Sequence, residues 1–399
     1  MPGLRTADTP TLQGPRSGHG ASLYLHVPFC ARRCHYCDFN TYAGLDELIP
    51  RYVEALLADL RAVAHCGPRG VAPPHAEAGR EWPVFGTVFI GGGTPTLLPA
   101  QELVRVLACV RELLPVAEHA EVTVEANPET VDVAYFGALV AAGVDRVSMG
   151  AQSFAPHVLA ALGRWHDADR PLRAVADARS AGVERISLDL IYGTPAETDA
   201  DWAGSLRAAI DAGAGHVSAY ALTVEPNTEY AARIRAGAAA APDDDVQAAR
   251  MAVADETLTA AGFGRYEISN WARPGQESRH NLAYWRSGDW LGVGAGAHGH
   301  WRGRRWWSLR APARYADEAL AGRSTTSGEE LPDDETRRTE RLMLGLRLTA
   351  GVDRADVEPL DEAVVDGLTR AGLLEAGSRL RLTPAGRPLA GAVILRLLS

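Results

Sequence analysis

The sequence predicts an α/β fold: an open, partial (β/α)6 TIM-like barrel followed by a mostly helical, winged-helix-like C-terminal unit. Three observations predict it. A strand-then-helix alternation runs from Leu23 to about Leu222. Polar residues suited to chemistry fall just after successive strands. From about Asp333 the pattern changes to helices followed by a pair of short strands. Six strands with intervening helices mean a parallel sheet, and six are too few to close an eight-fold barrel. A doubly wound sheet is the alternative; in either architecture function belongs at the carboxyl ends of the strands.

In chain order, residues 1–20 are polar, rich in Pro and Gly, and lack the apolar core of a signal peptide, so they read as a flexible N-terminal tail. The barrel occupies 21–240. Its strands are Leu23–Val27, Val84–Ile90, Glu121–Ala126, Arg146–Gly150, Arg185–Ile191 and His216–Leu222, short and rich in β-branched or large apolar residues. Helical patterns lie between them at Leu45–Ala64, Gln101–Leu114, Val131–Ala142 and Trp202–Ala212. Ala231–Ala241 reads as a further helix, and Asp243–Asp245 cap another from Val246 to Ala261. A connecting segment spans 241–325, with a strand at Tyr266–Asn270, the stretch His280-Asn281-Leu282-Ala283-Tyr284-Trp285, and a glycine-rich packing loop from Gly292 to His300. The C-terminal unit, 326–399, has helices at Asp334–Leu348 and Leu360–Ala371, a two-stranded wing, and a last helix from Pro384.

Composition narrows the function. The 399-residue chain carries a net charge of −10 and no lysine, so no general basic field exists to hold nucleic acid. No run approaches the ~18 apolar residues of a transmembrane helix. Five cysteines do not make a disulfide framework. Cys109 sits in a helical apolar pattern and reads as a buried thiol; Cys66 suggests nothing.

The other three cysteines, Cys30, Cys34 and Cys37, lie within eight residues directly after the first strand. Thiolates so close along the chain converge on one soft metal centre. Three of them leave one iron of a four-iron cubane open to an outside ligand; a zinc site would need a fourth ligand, which His26 or His35 could supply. At later strand ends come Gly91-Gly92-Gly93-Thr94-Pro95-Thr96, Glu125-Ala126-Asn127-Pro128, Gln152-Ser153, Arg164 and Asp189. Bare glycine backbone admits a ligand closely, a carboxylate can hold ribose hydroxyls, and an arginine can pair with a ligand carboxylate.

Tyr-Leu-His-Val-Pro-Phe-Cys, Gly-Gly-Gly-Thr-Pro-Thr, Glu-Ala-Asn-Pro and Gly-Ala-Gln-Ser-Phe, in this order, resemble the anaerobic coproporphyrinogen III oxidase family of radical S-adenosylmethionine (SAM) proteins. The resemblance runs from about Ser22 almost to the C-terminus. It implies a radical-SAM barrel, a [4Fe–4S] cluster on Cys30, Cys34 and Cys37, and a SAM site lined by Tyr24, Gly92, Gly93, Thr94, Glu125, Gln152, Arg164 and Asp189, with backbone from Ala221 to Thr223. Tyr36 and Phe39 pack on the cofactor or in the core. Within that family the oxidases carry Gly-Cys after the third cysteine, where this chain has Asp38 and Phe39. Cys-Asp-Phe-Asn and His-Asn-x-x-Tyr-Trp are instead similar to the radical-SAM heme chaperones (HemW-type). That resemblance implies a cytoplasmic protein that binds heme, with His280 as iron ligand and His298 and His300 in reserve, and transfers it to a heme-requiring acceptor. An electron donor is implied as a further partner. Whether SAM is cleaved, and hence whether the chain is an enzyme, stays open, as does peripheral membrane contact. A SAM-dependent coproporphyrinogen III oxidase and a zinc-binding regulatory protein are the alternatives.

Overall fold

The computed structural model describes residues 20–66 and 82–399. The tail expected at 1–20 lies outside them except for Gly20. Six strands stand side by side in sequence order and all parallel: β1 (Ala21–Val27), β2 (Phe85–Gly92), β3 (Val116–Ala126), β4 (Arg146–Gln152), β5 (Arg185–Tyr192) and β6 (His216–Ala221). Helices Ile49–Cys66, Ala100–Leu113, Val133–Ala141, Arg170–Ser180 and Asp199–Asp211 connect them. The expected partial barrel is present. Alternation builds it: Leu23, Leu25 and Val27 of β1 are buried in the main core, while Tyr24 stacks on Phe89 of β2 across the inner face. Helix Ile49–Cys66 presents Tyr52, Val53, Leu56, Leu60 and Val63 at helical spacing to the same core. Burying each such side chain contributes about 1.5–3 kcal/mol.

The segment after the barrel adds to the sheet. β7 (Trp290–Val293) lies parallel to β1, with Tyr24 opposite Gly292. His298–Trp301, Arg304–Ser308 and Thr326–Glu330 extend that edge antiparallel, and Asn270–Ala272 and Gly264–Arg265 extend the β6 edge, giving a 12-stranded sheet. The C-terminal unit has its own core of residues such as Leu342, Val365, Leu368, Leu380 and Ile394. Its wing has three strands, Val352–Asp353, Arg379–Leu382 and Leu374–Ala376, one more than expected. Among the described residues no helix is long and apolar enough to cross a membrane.

Several boundaries differ from the sequence expectation for local reasons. Tyr266–Asn270 is not a strand. The buried Glu267 carboxylate accepts from the Ser269 backbone N–H at 3.1 Å and from the Asn270 side chain, folding the chain back on itself, and the strand begins at Asn270. The helix expected over Ala231–Ala241 stops at Arg235 because Gly237 takes φ +70° and the Ala238 N–H returns to the Arg233 carbonyl at 2.8 Å. The last helix starts at Ala390, not Pro384, since the Thr383 hydroxyl accepts from the Gly386 N–H and holds a turn there. Asp243 caps helix Asp244–Ala260 as expected, accepting from Asp245 and Val246.

Candidate metal centre and cofactor site

β1 leads through Pro28 into a short pairing of Phe29–Cys30 with Tyr42–Ala43, and the loop between these carries Cys34 and Cys37. The loop is tied down from both sides. The His26 ring Nε2 meets the Asn40 carbonyl at 3.0 Å, and the Asn40 amide donates to the carbonyls of Ala295 and Arg310 at 3.0 and 3.1 Å. Each sulfur has its own polar neighbour. The Thr94 hydroxyl donates to Cys30 Sγ at 3.6 Å, Arg164 Nη1 donates to Cys34 Sγ at 3.5 Å, and the Thr41 hydroxyl lies 3.9 Å from Cys37 Sγ. Burial raises the Cys30 and Cys37 thiols above their ordinary range. Among the described residues no trio of His, Cys, Asp or Glu is gathered tightly enough to hold a single metal ion.

The glycine run packs around this loop. A side chain on Gly93 would meet the Phe29 carbonyl at 2.5 Å and Cys30 Sγ at 3.0 Å, and one on Gly92, at φ +119°, would strike the His26 ring at 2.5 Å. The Gly92 N–H donates to Glu125 Oε2 at 2.9 Å. Burial, with the nearby Asp189 charge adding to it, pushes the Glu125 carboxyl up to about 7 against the opposing Gly92 hydrogen bond. Arg164 reaches from the loop after helix Pro156–Ala161. Its Nη2 donates to the Gly150 carbonyl at 2.8 Å, while its buried Nε–H has no partner. An orphaned guanidinium donor beside three thiols suits a ligand carboxylate. Gln152 sits at φ +64° where the β4–β5 register shifts, which turns its side chain over Gly150.

Two expected residues lie deeper. Asp189 accepts from the hydroxyls of Ser148, Ser187 and Ser218 and is held well inside the barrel, its carboxyl raised by burial. The Tyr24 hydroxyl bonds His26 Nδ1 at 2.9 Å. Sequence reasoning missed the three serines, Thr41 and the role of His26. The serines signal only as polar residues at inward positions of strands. Tyr36 packs with Ile191, Leu222 and Tyr230, whereas Phe39 is 65% exposed.

His280 approaches this group only through Tyr24, whose ring centroid is 6.4 Å from its own. It sits on helix Arg279–Trp285 at the opposite end of the barrel, against Thr87, which precedes Gly92 by roughly 17 Å of strand. It is 1% exposed, its Nδ1 meets the Thr87 hydroxyl at 2.8 Å, its Nε2 meets the Tyr284 hydroxyl at 2.8 Å, and its ring stacks on Phe89. The buried Glu121 accepts from the His280 and Arg279 backbone N–H groups at 3.0 Å. Burial lowers the imidazole to about 3, so it is neutral. His298 is exposed and stacks on Trp307; His300 donates from Nδ1 to the Gly288 carbonyl.

The radical SAM superfamily profile matches residues 24–209, and the HemN C-terminal domain profile matches residues 333–389. The heme chaperone HemW of Mycobacterium tuberculosis (strain H37Rv) is 45% identical over 389 residues, covering 96% of each chain. The chain belongs to the HemW family. HemW of Escherichia coli (strain K12) is 38% identical, covering 90% of this chain and 84% of its own. The fold is also that of the E. coli coproporphyrinogen III oxidase HemN, a radical SAM enzyme, with TM-score 0.79, 21% identity, and coverage of 94% and 89%; at that identity the likeness concerns the fold alone. As a radical SAM protein of the HemW family, the chain takes a [4Fe–4S] cluster and SAM. Its residues fit both groups: three free thiols on one anchored loop, a side-chain-free glycine wall, and an unpartnered arginine donor.

Proposed function

We propose that this chain is a cytoplasmic heme chaperone that binds heme and passes it to a heme-requiring acceptor protein. The observation that carries this reading is the end-to-end match to heme chaperones rather than a match to one domain. Cys30, Cys34 and Cys37 would hold the cluster, leaving one iron for SAM. When bound, the cluster supplies an electron and an open coordination position. The chain's own residues bind and shield. Arg164 offers its free Nε–H to the SAM carboxylate, Glu125 accepts from ligand donors, and the Gly92–Gly93 backbone forms the close wall. Tyr24, Gln152 and Asp189 support them from the strands and Thr94 from the loop after β2. His280 is the proposed iron ligand for heme. Its neutral imidazole is the ligating form, and reaching it requires the Tyr284 hydroxyl to give way.

The oxidase reading is disfavoured by the residues after Cys37. The exposed Phe39 stands where a fourth thiol would be and can neither ligate nor hydrogen-bond. One purification under nitrogen tests the whole reading. Expected are about four irons and four sulfides per chain, stoichiometric heme binding, and no carbon dioxide from coproporphyrinogen III. Stoichiometric zinc in place of iron, or decarboxylation of the porphyrinogen, would overturn it. His280→Gln, which keeps hydrogen-bonding groups for Thr87 and Tyr284, is expected to weaken heme binding at least ~10-fold while iron and sulfide stay unchanged. An unaltered heme Kd would remove the ligand assignment and leave the cluster.

A further inference from the structure

Helix Arg279–Trp285 separates two environments at the amino end of the barrel. His280 and Tyr284 face the barrel. Arg279, Leu282 and Arg286, three and four residues apart, line a cleft of about 890 Å³ on the other side, closed by Leu348–Ala350 and Arg381 of the C-terminal unit. Arg185 of this cleft opens β5, whereas the three cysteines follow the carboxyl end of β1. Arg185 and Arg265 bring its lining to five guanidiniums against a single carboxylate, Glu277, in a chain of net charge −10. Some of these charges are already matched. Arg185 pairs with Glu121 at 2.8 Å and Asp145 at 3.5 Å, and Arg381 with Glu375 at 3.2 Å. Arg265 lies 3.9 Å from the Asp255 carboxylate and donates to the Glu267 and Ile268 carbonyls. Arg279 donates to the His119 carbonyl and lies 3.9 Å from Glu121, whose charge Arg185 already shares. Arg286 makes no ion pair among the described residues.

The remaining wall is apolar or aromatic: Leu282, Leu348 and the Tyr266 ring. Next to it, the Trp285 indole N–H is buried without a partner, and Arg347 lies over that ring. A cleft of this size is within the ordinary range for a bound organic molecule, roughly 300–1,000 Å³. A small inorganic anion would leave most of it unfilled. The combination calls for a large apolar body with acid groups along one edge.

We propose that this cleft receives the carboxylate edge of a tetrapyrrole, its propionates on Arg279 and Arg286 and its macrocycle against Leu282 and Leu348. The inference rests on the heme-binding reading and adds a second site to it. Guanidinium forks pair with carboxylates bidentately, which lysine could not do. The cleft reads the acid groups and not the metal. His280 lies about 100° around the helix from Arg279, so propionate capture and iron ligation are separate contacts.

The test uses the full-length, anaerobically purified protein, titrated with heme, metal-free protoporphyrin IX and protoporphyrin IX dimethyl ester. Wild type is expected to bind both free acids and to bind the ester at least ~10-fold more weakly. The double variant Arg279→Gln/Arg286→Gln is expected to lose the same factor for protoporphyrin IX, which has no iron for His280, and nothing for the ester, with its iron content intact. Acid and ester binding equally well to wild type would overturn the cleft without recourse to any variant. So would a folded double variant with wild-type affinity for protoporphyrin IX, and in either case heme binding by wild type would leave the chaperone reading standing. Failure of wild type to bind heme would instead overturn that reading.

Discussion

Cys34→Ser is expected to strip the protein of its cluster, with iron and acid-labile sulfide falling from about four each per chain to near zero. In the proposed ligand set each thiolate would hold one iron and SAM the last, leaving the cubane no spare protein ligand. A serine hydroxyl is a hard donor, protonated at neutral pH, and does not replace a thiolate on iron. Arg164 sharpens the comparison, because its guanidinium contacts Cys34 Sγ at 3.5 Å and would be left facing a neutral hydroxyl. Cys109→Ser is the matched control. Cys109 is buried on helix Ala100–Leu113, packed in the apolar core, and its loss should leave iron and sulfide unchanged at a modest stability cost. A smaller effect belongs to Thr94→Val, which removes the hydroxyl donated to Cys30 Sγ and should lower the cluster's reduction potential. Iron and sulfide measured side by side in the two cysteine variants decide the matter, and a redox titration of Thr94→Val against wild type reads the potential. Cys34→Ser protein retaining a full complement would remove Cys34 from the ligand set.

The parts legible in the sequence were those written in local pattern. The 3-and-2 spacing of the cysteines, the six strand-helix repeats and the Asp243 cap each depend on residues close along the chain. What escaped depends on distant partners or on single side chains that overrule a pattern. β7 is four residues, Trp-Leu-Gly-Val, and reads as part of a glycine-rich loop; only its pairing with β1, more than 260 positions away, makes it a strand. Glu267 breaks an apparent strand because its carboxylate finds the Ser269 backbone N–H two residues on and the Asn270 side-chain amide three residues on. The serines beneath Asp189 come from three different strands, and nothing in one strand announces the other two. His280 shows the limit from the other side. Its motif drew attention to heme, yet its geometry, with both ring nitrogens engaged and Phe89 stacked on it, belongs equally to the floor of the barrel.

Glu125→Gln should produce two opposed effects, and their opposition is what makes it informative. The carboxyl at the end of β3 is pushed up to about 7, mainly by burial, from an ordinary value of 4.5. A carboxyl raised on folding favours the folded protein most when protonated. That contribution is complete below its unfolded pKa near 4.5 and is lost as pH rises through about 7. The displacement corresponds to roughly 3 kcal/mol at most. Glutamine carries no such proton and can still accept from the Gly92 N–H through its amide oxygen. Cluster-free Glu125→Gln protein should therefore be more stable than wild type at pH 8 by roughly 2–3 kcal/mol, with the difference vanishing near pH 5. SAM binding should move the other way. Losing an ionised acceptor for ligand donors costs about 1.5–3 kcal/mol, or some 10- to 100-fold in affinity at pH 8. Wild-type affinity should also climb between pH 6 and 8 as Glu125 ionises, while the variant's stays level. Asp189 also titrates nearby, raised by the same burial, so the quantity to follow is the difference between the two proteins at each pH. Urea denaturation of the cluster-free forms and calorimetric SAM titration of the loaded forms, each across that range, measure both arms. Parallel pH profiles for wild type and variant in both experiments would mean that Glu125 is already ionised by a contact outside this geometry, and that the carboxylate is not what the glycine wall was built to present.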